Sequence, residues 1–193
     1  MQPANIFDTQ YTLRRKVLTI AGAKFHIFDS HGNLAFYSKM KAFKLKEDIR
    51  LYSDESMQDE ILSIKTQQII DFGATYNVVN SKTQLKIGSF RRKGLKSLLR
   101  DEWIIFDTNN NQIGIIKEDS TALALVRRFL TNLIPQTFHV DMNRKTVCVY
   151  KQNFNPFVQK IAIDFSGDIE NRYDRLLGIA GSILLCAIEG KQQ

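Results

Sequence analysis

The sequence predicts a mainly β fold: a closed antiparallel barrel of about twelve strands, built from hairpins and enclosing a hydrophobic C-terminal helix. Three observations predict it. One hairpin pattern is written four times along the chain. The total of roughly ten to twelve strands is too many for an open sheet, which must curl or close to control its edges. The third is the run Leu176–Ile188, apolar or small on every face of a helix. A helix hydrophobic all round must be wholly enclosed.

Thr12–Ile20 supplies the opening strand. The four hairpins are Phe25-His26-Ile27-Phe28-Asp29 with Leu34-Ala35-Phe36, Tyr76-Asn77-Val78-Val79-Asn80 with Leu85-Lys86-Ile87, Trp103-Ile104-Ile105-Phe106-Asp107 with Ile113-Gly114-Ile115, and Phe138-His139-Val140-Asp141 with Val147-Cys148-Val149. The aromatic and the start of the return strand lie nine, nine, ten and nine residues apart. Short polar turns join them, as hairpins require. Ile49-Arg50-Leu51 with Leu62-Ser63-Ile64 is a degenerate fifth copy with a longer, acidic turn. Period 2 places Phe25/Ile27, Tyr76/Val78, Trp103/Ile105 and Phe138/Val140 inward. It assigns Leu34/Phe36, Leu85/Ile87, Ile113/Ile115 and Val147/Val149 to the same face. His26, Asn77, Lys86, His139 and Cys148 then face outward.

Two segments break the strand rhythm. Lys93–Arg100 is expected to make a short helical turn. Thr121–Ile134, with Leu123, Val126, Leu130 and Leu133 at helical spacing, stops at Pro135. Each is expected to cap an open barrel end. Phe157–Ile163 gives the last strand. The final uncharged run is thirteen residues, bounded by Arg175 and Glu189, short of the ~17–25 that cross a bilayer. It is therefore expected as a plug over residues 173–189, within one domain spanning residues 1–193. A twelve-strand lumen exceeds the eight-strand case that side chains alone fill.

Composition excludes several classes. At 193 residues, with 44% hydrophobic and 24% charged side chains, the chain is an ordinary globular one. Neither a signal peptide nor a prenylation box is written at the ends, and Cys148 and Cys186 make no disulfide framework. The expected compartment is the cytosol, with peripheral membrane contact. The net charge of +7 is unevenly placed. Residues 72–100 hold seven basic side chains and no acid, residues 11–46 hold eight against Asp29 alone, and residues 47–71 hold seven acids.

The early hairpin Phe25–Phe36, the basic link Arg92–Arg100 leading into Trp103, and the stretch Asp164-Phe165-Ser166-Gly167-Asp168 followed by Arg172–Ile188 resemble the LURP-one-related group of the tubby C-terminal-like superfamily, with the phospholipid scramblases as cousins. The likeness runs over residues 11–189 and implies a twelve-stranded barrel. It implies no single activity, because tubby proteins bind phosphoinositides and scramblases are associated with lipid movement. The chain lacks the Pro-rich arm and cysteine cluster of scramblases.

Catalytic motifs are missing: no G-x-S-x-G, H-E-x-x-H or C-x-x-C is present. A calcium loop begun at Asp164 puts Gly167 at position 4 and Arg175 at position 12, where such a loop needs glycine at 6 and glutamate at 12. Asp168, Glu170 and Asp174 instead favour the positive end of the helix. The expectation is a non-enzymatic barrel, without cofactor or metal. Its lipid- or anion-binding residues are Lys82, Lys86, Arg91, Arg92, Lys93, Lys96 and Arg100, meeting an anionic phospholipid surface or a protein partner. A scramblase-like transporter and a nucleic-acid binder using the same basic segment are the alternatives. The first is disfavoured because nothing spans a bilayer, and the second because no element is shaped for groove readout.

Overall fold

The computed structural model describes residues 8–18, 22–40, 49–66, 74–93, 102–119, 136–153 and 159–189. Among them run twelve strands: β1 (Gln10–Leu18), β2 (Gly22–Phe28), β3 (Leu34–Met40), β4 (Ile49–Tyr52), β5 (Glu60–Thr66), β6 (Thr75–Asn80), β7 (Lys86–Arg92), β8 (Glu102–Phe106), β9 (Gln112–Glu118), β10 (Thr137–Met142), β11 (Lys145–Asn153) and β12 (Gln159–Asp164). Helix α1 (Arg175–Glu189) follows. Every strand pairs antiparallel with its sequence neighbours, and β1 pairs with β12, so the ring closes without an edge. The segments 94–100 and 121–134, expected as end caps, lie outside the described residues.

The leading strands point inward as their alternation predicts: Phe25, Ile27, Val78, Trp103, Ile105, Phe138 and Val140 are buried. On the return strands Phe36 and Val147 are buried as expected, but Leu34, Leu85, Ile87, Ile113, Ile115 and Val149 are not, and every hairpin carries the same irregularity. Each of the five hairpins carries a register shift just after the inward residue Ile27, Leu51, Val78, Ile105 or Val140. The residues bulged out of the pairing are Ala35, Ile61, Ile87, Ile113 and Val147. An inserted residue moves everything beyond it to the other face. Partners of the inward positions are therefore Phe36, Gly88, Gly114 and Cys148. Cys148 is core rather than outward, Ile115 and Val149 lie on the outer side, and Leu85 is 67% exposed. The bulged Ile61, Ile87 and Ile113 pack against the core from the wall.

The turns repeat as well. Asp29 Oδ1 accepts the amides of His31 and Asn33, and Asp107 Oδ1 accepts those of Asn109 and Asn111. Asn80 Oδ1 takes Lys82 and Thr83 likewise. These side chains mimic the backbone of a turn and end the strand. The β10–β11 turn has positive φ at Asn143 (49°) and Arg144 (65°), the geometry whose twist matches a hairpin.

Helix α1 occupies the lumen. Leu177–Ala187 is buried without interruption, and α1 packs against β1 and β7, which stand on opposite sides of the ring. Its small residues set the fit. A Cβ on Gly178 would lie 2.5 Å from the Phe165 ring, and one on Gly181 would lie 3.1 Å from Phe90 and from Tyr150 Oη. The wall answers with Gly88, whose Cβ would meet Leu177 at 2.8 Å. Asp174 Oδ1 accepts the Leu177 amide at 2.9 Å, capping the start. At the far end, Arg15 donates to the Cys186 carbonyl at 3.1 Å and to Gln159 Oε1 at 3.1 Å. A cation there suits the negative end of the helix dipole.

Candidate functional site

The basic segment is contiguous in sequence but divided in space. Lys82 sits in the β6–β7 turn and bridges to Asp59 at 3.3 Å. Lys86 opens β7 and donates to Asn110 Oδ1 at 2.6 Å. Strand β7 then carries the chain about 20 Å along the barrel wall to Arg91, Arg92 and Lys93. Arg91 is exposed; its Nε donates to Thr75 Oγ1 at 3.0 Å, and its guanidinium lies 4.9 Å over the Phe106 ring. Arg92 stands abreast of the inward Trp103 and is half-buried. Beside it, burial pushes the Tyr76 phenol upward, and the Arg92 charge counters part of that rise. Lys93 holds Glu102 at 2.8 Å. Lys96 and Arg100 lie outside the described residues. The structure thus brings Arg91, Arg92 and Lys93 together at one end and leaves Lys82 and Lys86 at the other.

The acidic stretch before α1 is a structural clasp. Asp168 is 4% exposed. Its Oδ1 accepts the Arg172 amide at 2.8 Å, and its Oδ2 accepts the Tyr173 amide at 3.0 Å and Arg175 Nη1 at 2.7 Å. With both oxygens occupied by the chain's own donors, the carboxylate has little capacity left for a cation. No cluster of three or more metal-ligating side chains occurs among the described residues. His26 and His139 face outward on β2 and β10, which are not neighbours, and each meets its own carboxylate, Glu55 at 3.1 Å and Asp119 at 2.9 Å.

The core thiol has no reactive character. Burial pushes the Cys148 thiol far up, despite a hydrogen bond with Tyr150. Tyr150 Oη donates to the Gly178 carbonyl at 2.8 Å and lies 3.2 Å from Tyr173 Oη, and burial raises both phenols well above their ordinary value. Sequence reasoning did not single out Arg15, although the alternation Tyr11, Leu13, Arg15 already placed it inward. Among the described residues, no helix is long and apolar enough to cross a membrane.

A hairpin-built ring closed around its own C-terminal helix is a specific architecture, and the comparison with family models agrees with it: the LURP-one-related model matches residues 34–180. The chain belongs to the LURP-one-related family. Through it the chain falls in the tubby-like C-terminal superfamily. No curated protein matches the sequence. The matched span of this LURP-one-related chain begins at β3 and reaches into α1, so it covers ten of the twelve strands and the first turns of the plug.

Proposed function

We propose that this LURP-one-related barrel is a non-catalytic binding module that docks on anionic phospholipid headgroups through the end of β7. The observation that carries the reading is Arg91. It is exposed at a strand end, followed by Arg92 and Lys93, and the sequence continues through Lys96 and Arg100 before the next acid, Asp101. The lumen is filled by α1, so the interior leaves no room for the cavity a small substrate would need. Lys82 and Lys86 stand at the opposite end and would join only a partner that reaches along β7. A protein partner with an acidic face is the alternative occupant of the same surface.

Basic groups beside an anionic membrane contribute ~1 kcal/mol each. Binding should therefore be weak, salt-sensitive and selective for anionic over zwitterionic liposomes. Arg92 is half-buried against Trp103, so the informative variant spares it. Arg91→Gln/Lys93→Gln should keep its fold and lose roughly tenfold or more in affinity, which flotation across a salt series measures. Equal flotation of wild type and variant, or none by either at low salt, refutes the assignment.

A further inference from the structure

The other basic segment of the chain, residues 11–46, becomes informative only when strand register is known. On the outer face Lys16 stands abreast of Lys24, and Lys24 abreast of Lys39, on three adjacent strands. Two residues along β1, Arg14 stands abreast of Lys160 on β12. Lys151 follows on β11, two residues from Asn153, which is the partner of Lys160. Arg14, Lys16, Lys39 and Lys151 are exposed, and Lys24 and Lys160 partly so. Like charges placed abreast are destabilising, so folding alone gives no reason for this arrangement.

None of the six pairs with a carboxylate among the described residues. The one acid in these five strands is Asp164, at the other end of β12, where it accepts the Ser166 amide. Glu55 reaches this side but is held by His26. Elsewhere on the wall several cations are neutralised, Arg50 by Glu60, Lys93 by Glu102 and Lys117 by Asp141, while Lys65, Lys86 and Arg91 have no carboxylate partner among the described residues and do not stand abreast of one another. The contrast is between cations that stand in an unbroken row across strands and cations that stand singly.

We infer that the outer face of β11, β12, β1, β2 and β3 is a track for a single-stranded nucleic acid. Neighbouring cations on the track are about 5 Å apart across strands and about 7 Å apart along one. A flexible phosphodiester chain, with one charge per nucleotide, can follow such a curved row. The track also carries rings. The Arg14 guanidinium lies 4.6 Å over Phe28, and His26 stacks beside Phe28 with an interplanar angle of 19°. Bases stack on aromatic faces and on guanidinium planes, a complement that an acidic peptide does not use. Finally, β1 is six places from β7 in a ring of twelve. The track therefore lies on the opposite side of the ring from Arg91 and Lys93, although in an antiparallel ring both groups of cations stand toward the same barrel end.

The test is fluorescence anisotropy of the full chain with a labelled oligo-dT of about twenty nucleotides, over roughly 50–200 mM salt. Six cations on a single strand give a log K against log salt slope of about −4, a loss of roughly 300-fold across that range. Lys16→Gln/Lys24→Gln/Lys39→Gln should bind at least tenfold more weakly, with the slope roughly halved. Its melting temperature should be no lower than wild type, because repulsion is relieved; that readout separates lost binding from lost fold. Arg50→Gln/Lys117→Gln, which removes paired cations, should bind as wild type does. No binding at about 50 mM salt, equal losses in both variants, or preference for polyglutamate of the same charge overturns the inference. Loss in Arg91→Gln/Lys93→Gln but not in the lysine variant also overturns it, by moving the contact to the lipid surface.

Discussion

Asp168 gives both carboxylate oxygens to donors of its own chain, and Arg175, with its side chain 10% exposed, depends on that pairing. Removing one partner of a buried pair leaves the other charge uncompensated, which costs about 3–5 kcal/mol. Asp168→Ala should therefore lower the melting temperature by on the order of 10 °C, measured by thermal denaturation, while millimolar Ca²⁺ should leave wild type unmoved. The acidic stretch was visible in the sequence. Arg172 and Arg175 were visible within it, but not which of them pairs with Asp168, because Arg175 lies seven residues on and only the turn over Phe165–Asp174 brings it back. A second prediction at this scale concerns ionisation. Cys148, Tyr150 and Tyr173 have folded values raised by burial, and Tyr11 is pushed up to about 12. The unfolded chain gives up these protons first. The stability they confer is thus complete below the unfolded thiol value of about 8.5 and is lost as pH rises. Denaturant midpoints should hold to about pH 8 and fall through pH 9–11; a flat profile there would mean these groups are not sealed in the core.

Among the elements, α1 shows how small residues position a large one. Gly178→Ala would gain helix propensity of about 1 kcal/mol, yet its Cβ would lie 2.5 Å from Phe165. Overpacking of this kind costs about 1–3 kcal/mol, so the variant should melt below wild type. Deleting residues 176–193 removes seven large aliphatics, each contributing ~1.5–3 kcal/mol on full burial. The truncated chain should aggregate on expression; a soluble product with unchanged melting would mean that α1 is detachable. The hairpins were largely legible, down to the degenerate copy at Ile49–Ile64. Their return strands were misphased in part: Phe36 and Val147 are buried as expected, whereas an apolar residue inserted at a bulge, as at Ile87 and Ile113, put the rest out of phase. Period 2 cannot distinguish an inserted isoleucine from an inward one.

Across the whole molecule, charge has a side. The excess of +7 was plain from composition, and so were the two basic segments. What each segment becomes depends on strand pairing, which no contiguous stretch reveals. Lys82–Lys93 looked like one patch and is spread along a strand. Lys16, Lys24 and Lys39 looked scattered and stand in a row. Non-local register therefore decides the candidate sites, whereas local patterning was enough for the strands.

The pairing of β1 with β12 joins Arg15 to Gln159, 144 positions later, and that has a temporal consequence. During synthesis β1 is made first and has only β2 to pair with until nearly the whole chain has emerged. A growing sheet of up to eleven strands would hold two open edges and an unfilled inner face throughout that time. Since α1 is translated after β12, the barrel must either stay ajar or close around a helix that arrives last. Contacts so distant in sequence slow folding, and exposed edges invite association meanwhile. Refolding yield should accordingly fall steeply with protein concentration, and the chain should be most dependent on chaperones in the interval before β12 and α1 leave the ribosome.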